Sequence, residues 1–233
     1  RLFSNMSQLE IPTVVPVMTL PNTVLFPKAM LPLYIFEERY RLMLKHVLAT
    51  DRLFAVAGMA QTTASHESEN RQELPFGVAT VGVVRACHDN TDGTSNLLLE
   101  GLQRIQTESI VEEDPYRRIA IRLLTTSAQT DEQELLQLRK KAEDAVRQHK
   151  KLGGEVTKDV LDYLTQVEDV EVFTDLAAYA LCPDFQQKQR FLETLDVAER
   201  LKMFYNMIQR ENERLITEKK LRGNNTPDDP SAN

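Results

Sequence analysis

LPNTVLFPKAMLPLYIFEERY, residues 20–40, decides how the first half of this 233-residue chain folds. It carries Pro21, Pro27 and Pro32 among Val24, Leu25, Phe26, Met30, Leu31, Leu33 and Ile35. Proline fixes φ and removes a backbone donor, so it is excluded from helix interiors and from central strands. The stretch therefore predicts short, buried, extended pieces broken by turns, with Pro21-Asn22 itself a turn signal. The prolines then stop. From Glu37 onward Tyr40, Leu44, Val47 and Leu48 recur on one face of an amphipathic helix, which Phe36 and Met43 widen.

Working outward, residues 11–20 (IPTVVPVMTL) read as a strand with Pro12 and Pro16 at an edge or a break. Leu53 to Met59 is an apolar run suited to a buried strand, and the polar residues 60–74, including His66, read as a surface loop. Phe76–Ala86 and Ser95–Glu100 flank a hairpin turn at Asn90-Thr91-Asp92-Gly93. Gly101 is expected to break the second of these strands. Leu102–Val111 and Tyr116–Thr125 then supply two more.

The period changes near residue 127. Thr130 with Gln133 has capping-box spacing for a helix to about residue 151, stopped by Gly153-Gly154. Four further helices follow: one over Val156–Val167, a third ended by Pro183, a fourth begun by Asp184 with Gln187, and a fifth capped by Asp196 with Glu199. The expected architecture is α+β. Residues 11–126 form a mostly antiparallel β-subdomain with one helix, 127–222 a helical bundle, and 223–233 a tail too polar to fold.

Three blocks resemble the N-terminal, substrate-binding domain of Lon proteases: residues 20–40, then FGVATVGVVRA (76–86) with LLLEGLQRIQ (97–106), then FLETLDVAERLK (191–202). They follow the family's order and span most of residues 12–215. The resemblance implies a PUA-like β pseudo-barrel followed by helices. It also implies a module that binds unfolded, damaged or degron-bearing polypeptides, as an adaptor or decoy for a full-length protease or by self-association. It implies structural roles for Arg39 in IFEERY and for Glu100 and Arg104 in EGLQR. No G-x-x-x-x-G-K-[ST] is present and no Ser-Lys dyad matches the family's, so the expectation is a free-standing, non-enzymatic binding domain without cofactor. A polypeptide-binding surface has to expose apolar area, and the candidates are Phe26, Pro27, Met30, Leu31, Pro32 and Leu33.

Composition limits the other classes. The chain is 42% hydrophobic and 27% charged with net charge −7, and acids outnumber bases in both halves. That opposes nucleic-acid binding, the alternative that a PUA-like barrel suggests by fold analogy. Cys87 and Cys182 have no second cysteine at ligand spacing and the four histidines are scattered, so neither metal nor disulfide is expected. Two buried free thiols fit a reducing cytoplasm. Cys87-His88-Asp89 places thiol and imidazole on opposite strand faces, which excludes them as a nucleophile–base pair. No apolar run reaches the ~20 residues a membrane span needs.

Overall fold

A computed structural model describes residues 10–59, 75–127 and 129–223. The expected loop at 60–74 with His66, and the tail beyond Gly223, lie outside them. The elements are β1 (Val14–Leu20), β2 (Met30–Ile35), α1 (Glu38–Leu48), β3 (Leu53–Gly58), β4 (Val78–Asp89), β5 (Ser95–Glu112), β6 (Arg118–Leu123), α2 (Glu132–Lys151), α3 (Lys158–Gln166), α4 (Val170–Leu181), α5 (Phe185–Glu193) and α6 (Val197–Gly223). The class is α+β. The chain divides into two units at Thr125/Thr126, with Lys188–Glu193 belonging to the first.

In the first unit the strands run in the order β2-β5-β4-β3-β1-β6, and β6 pairs back onto β5. Five strands therefore close a ring, and β2 hangs on the first half of β5 outside it. All pairings are antiparallel except β1 with β3. The interior is filled by alternate residues of each strand, among them Val15, Val17, Leu53, Ala55, Val81, Ile105, Ile119 and Ile121. Phe54 and Val56, on the other face of β3, are equally buried. Pro16 fits because β1 pairs with β6 through Val14–Pro16 and with β3 only from Val17. Its missing donor falls at the changeover between neighbours.

Residues 20–40 take the expected order of extended piece, turn, extended piece and helix. Tyr40, Met43, Leu44 and Val47 form the buried face of α1. The Tyr40 hydroxyl anchors the helix to β1, accepting from Thr19 N–H at 3.3 Å, and His46 Nδ1 lies 2.9 Å from the Tyr116 hydroxyl. Phe36 departs from the expectation. It precedes the helix rather than widening its face and is 60% exposed.

Gly101 is also corrected: β5 runs unbroken through it for 18 residues. Its purpose is a close backbone approach. Lys28 N–H donates to Gly101 O at 2.8 Å and Gly101 N–H donates to Ala29 O at 2.9 Å. A Cβ on Gly101 would lie 2.8 Å from the Phe26 carbonyl carbon, and closer still to its oxygen. Gly93 takes the positive φ (83°) of the β4–β5 turn.

The first unit takes its last piece from late in the chain. Gln189, on α5, donates from Nε2 to Val78 O at 3.0 Å, and Arg104 donates from Nε to Leu192 O at 3.0 Å. Both side chains are buried. A linear boundary at 126/127 misses this return, because sequence order carries no sign of where a helix packs.

The second unit comprises Thr126–Gln187 and the chain from Thr194. Asp131, not Thr130, caps α2, accepting from Gln133 N–H at 3.1 Å. Asp184 and Asp196 accept from Gln187 and Glu199 N–H at 2.6 and 2.8 Å, as their spacing predicts. Ala142, Ala145 and Val146 of α2 are buried, and Asn212 on α6 donates to Ala145 O at 3.0 Å while its Oδ1 meets His149 Nδ1 at 2.9 Å. Phe173 and Phe204 pack edge to face. Arg200 is fully buried. Its Nη2 lies 3.2 Å from Glu171, and its Nε lies 3.1 Å from Asp175 as an ion pair outside hydrogen-bond alignment. Among the described residues no helix is long and apolar enough to cross a membrane.

Candidate functional site

The sheet alternation of β2 separates its side chains into two sets. Leu31 and Leu33 are half-buried and Ile35 is buried. Met30 (40%), Pro32 and Tyr34 (53%) face out, and Phe36 (60%) follows beyond the strand end. The Tyr34 and Phe36 rings stack with centroids 5.8 Å apart. Alternate residues of a strand are about 7 Å apart, so Met30 to Tyr34 spans roughly 13 Å.

The neighbouring strands continue this surface. Pro32 is opposite Leu98 on β5, and Leu98 is opposite Ala86 on β4. Leu98 is half-buried and Ala86 exposed. The result is an apolar strip across three strands of the first unit. It is bounded by the Arg85–Glu100 ion pair (2.5 Å) on one side and by Asn96 with His88 on the other. At the Phe36 end it opens into a groove of about 1040 Å³ whose lining includes Arg41, Leu44, Lys45, Leu48 and Ser95. Monomers expose few contiguous apolar patches, and those they have are often used for contact.

Of the residues proposed from sequence, Met30 and Pro32 lie on this face. Pro27, Leu31 and Leu33 are half-buried. Phe26 is a correction: at 0% exposure it is core, sealed where the backbone of Phe26 lies against Gly101, and offers nothing to a ligand. The missed members are Tyr34, Phe36, Leu98 and Ala86. The period-2 spacing of Met30, Pro32, Tyr34 and Phe36 was the available signal, but spacing does not say which face another element covers.

The three structural candidates separate. Arg104 is buried and caps the end of α5 through Leu192 O. Glu100 pairs with Arg85 on the strip's border. Arg39 is exposed, bridges Glu37 at 2.9 Å and stacks over the Tyr40 ring at 4.6 Å. Cys182 is buried, while Cys87 is only half-buried, which corrects the expectation of two buried thiols. Burial pushes the Cys87 thiol pKa up, and the neighbouring Asp89 carboxylate adds to the shift. Such a thiol is a poor nucleophile at neutral pH. Among the described residues no group of three His, Cys, Asp or Glu is placed to hold a metal ion.

Comparisons with known proteins converge. The family profile described as the ATP-dependent protease La (LON) substrate-binding domain matches residues 14–210. Lon protease 1 of Syntrophobacter fumaroxidans is 26% identical over 208 residues, covering 89% of this chain and 25% of the relative. The Lon protease of Azospirillum brasilense is 28% identical over 218 residues, covering 93% of this chain and 26% of the relative. The chain thus spans about a quarter of the length of these relatives. Among solved structures, the N-terminal domain of a Mycobacterium avium complex Lon protease superposes with TM-score 0.66 at 16% identity, covering 84% of this chain and 98% of that one. A Lon N-terminal domain protein from Xanthomonas campestris gives 0.59 at 19%, covering 82% and 96%. At these identities the two structures establish the fold.

Proposed function

Because the chain belongs to the Lon substrate-binding domain family, matched over residues 14–210, we propose that it binds unfolded or degron-bearing polypeptides on the face of Met30, Pro32, Tyr34, Phe36, Leu98 and Ala86. The observation that carries this reading is the apolar strip on β2, β5 and β4, with Tyr34 and Phe36 more than half exposed. Burying a side chain of this size against a ligand is worth roughly 1.5–3 kcal/mol. The match is to the substrate-binding part of Lon, which supports a recognition role for this segment. Acting beside a full-length protease, it would deliver captured chains as an adaptor or withhold them as a decoy.

The test is a titration of a labelled, permanently unfolded protein (reduced and carboxymethylated) onto wild type and Tyr34→Ser. Binding should weaken about tenfold or more, with the thermal melt unchanged because the position is exposed. Equal binding by the two proteins would remove this face from consideration. Adding the chain to a Lon degradation assay separates the two roles: an adaptor accelerates loss of the unfolded protein and a decoy slows it.

A further inference from the structure

β2 hydrogen-bonds to β5 alone among the described strands, so among the described residues its other side is a sheet edge. Such an edge invites an extended ligand to add as another strand through main-chain bonds. Backbone groups alternate along an antiparallel strand as side chains do. Gly101 N–H donates to Ala29 O, and Ala29 lies one residue before β2, so the odd-numbered residues 31, 33 and 35 turn their backbone toward β5. Met30, Pro32 and Tyr34 then turn theirs toward the edge. Pro32 stands at the centre of that edge and carries no N–H. A strand laid there would leave a carbonyl of its own unpaired opposite the proline ring, in the middle of the ladder.

We infer that a ligand is read by its side chains lying on the face of β2, β5 and β4, and not by strand addition to the β2 edge; the inference rests on the polypeptide-binding role proposed above. The edge residues are also the face residues: Met30, Pro32 and Tyr34 present apolar side chains outward while the edge they form is interrupted. Recognition then depends on where apolar groups project and not on the ligand's backbone amides. Segments containing proline, or holding a helical turn, are accepted alongside extended ones provided their apolar groups reach the strip. This class is broader than the β-forming sequences that strand addition selects.

The experiment compares two short labelled peptides with Leu and Phe at alternate positions. One is unmodified and one is N-methylated at every second backbone amide, the set an added strand would turn toward the edge. Each is titrated onto the full chain and onto its Tyr34→Ser variant. The expected result is dissociation constants within about twofold of each other on the wild type, both weakened by Tyr34→Ser. A loss of about tenfold or more on methylation, with the unmodified peptide still sensitive to Tyr34→Ser, overturns side-chain reading and leaves the polypeptide role standing. Failure of the unmodified peptide to bind, or indifference of its binding to Tyr34→Ser, overturns the proposed role and this inference with it.

Discussion

Gly101→Ala sets two kinds of reasoning against each other. By propensity, alanine in a strand interior should stabilise by about 0.5–1 kcal/mol relative to glycine. The structure predicts the opposite sign. The new Cβ would meet the backbone carbonyl of Phe26, 2.8 Å from its carbon, and Leu25 Cγ at 3.3 Å. A backbone group cannot rotate aside as a side chain can, so the segment before β2 has to move. That movement breaks Lys28 N–H to Gly101 O and Gly101 N–H to Ala29 O. Two such bonds contribute about 1–3 kcal/mol net, and overpacking adds about 1–3 kcal/mol. The expected loss is therefore about 2–6 kcal/mol. A 4 kcal/mol loss lowers the melting temperature of a chain this long by about 8–16 °C. Urea denaturation gives the free energy, and hydrogen exchange locates the damage. The amides of Leu31 and Leu33, which bond to β5, should lose protection ahead of those in β3. An unchanged or raised stability would refute the close-approach account of Gly101, and with it the hydrogen-bond alternation assigned to β2.

Phe26→Ala should cost about 3–5 kcal/mol in a melt, as a fully buried phenylalanine does, whereas Tyr34→Ser should stay within about 0.5 kcal/mol of wild type. Asp175→Asn leaves the buried Arg200 without one of its carboxylates and should cost about 3–5 kcal/mol, read by chemical denaturation. Cys87 keeps its proton to higher pH than an ordinary thiol, so the midpoint of its alkylation rate against pH should lie above that of a free cysteine peptide. The sign for stability follows: with a raised folded-state pKa the stabilisation is present below the unfolded value and is lost as pH rises through the folded one.

How much of this was legible varies by residue. Three prolines followed by a 3.6-residue period made the β2–α1 unit readable, because both signals are local backbone chemistry. The caps at Asp184 and Asp196 were readable for the same reason. The role of Gly101 is not legible, because a glycine that breaks a strand and one that admits another backbone look alike until the second segment is in place. Phe26 and Tyr34 sit eight residues apart in one apolar run, yet one is core and the other exposed. That difference is set by what covers each face, and coverage is a tertiary fact. The return of Lys188–Glu193 to the first unit has no local signal either.

That return has a consequence for synthesis. The barrel strands are all made once Leu123 has left the ribosome, but Val78 O and the Arg104 guanidinium wait for Gln189 and Leu192. About 70 more residues have to be added first, which takes roughly 4–14 seconds at ~5–20 residues per second. Through that interval the nascent barrel holds an arginine side chain that its finished form buries against α5. A chain that ends before residue 189 lacks both contacts, so the Val78 carbonyl is without its Gln189 donor and the Arg104 side chain without its Leu192 acceptor.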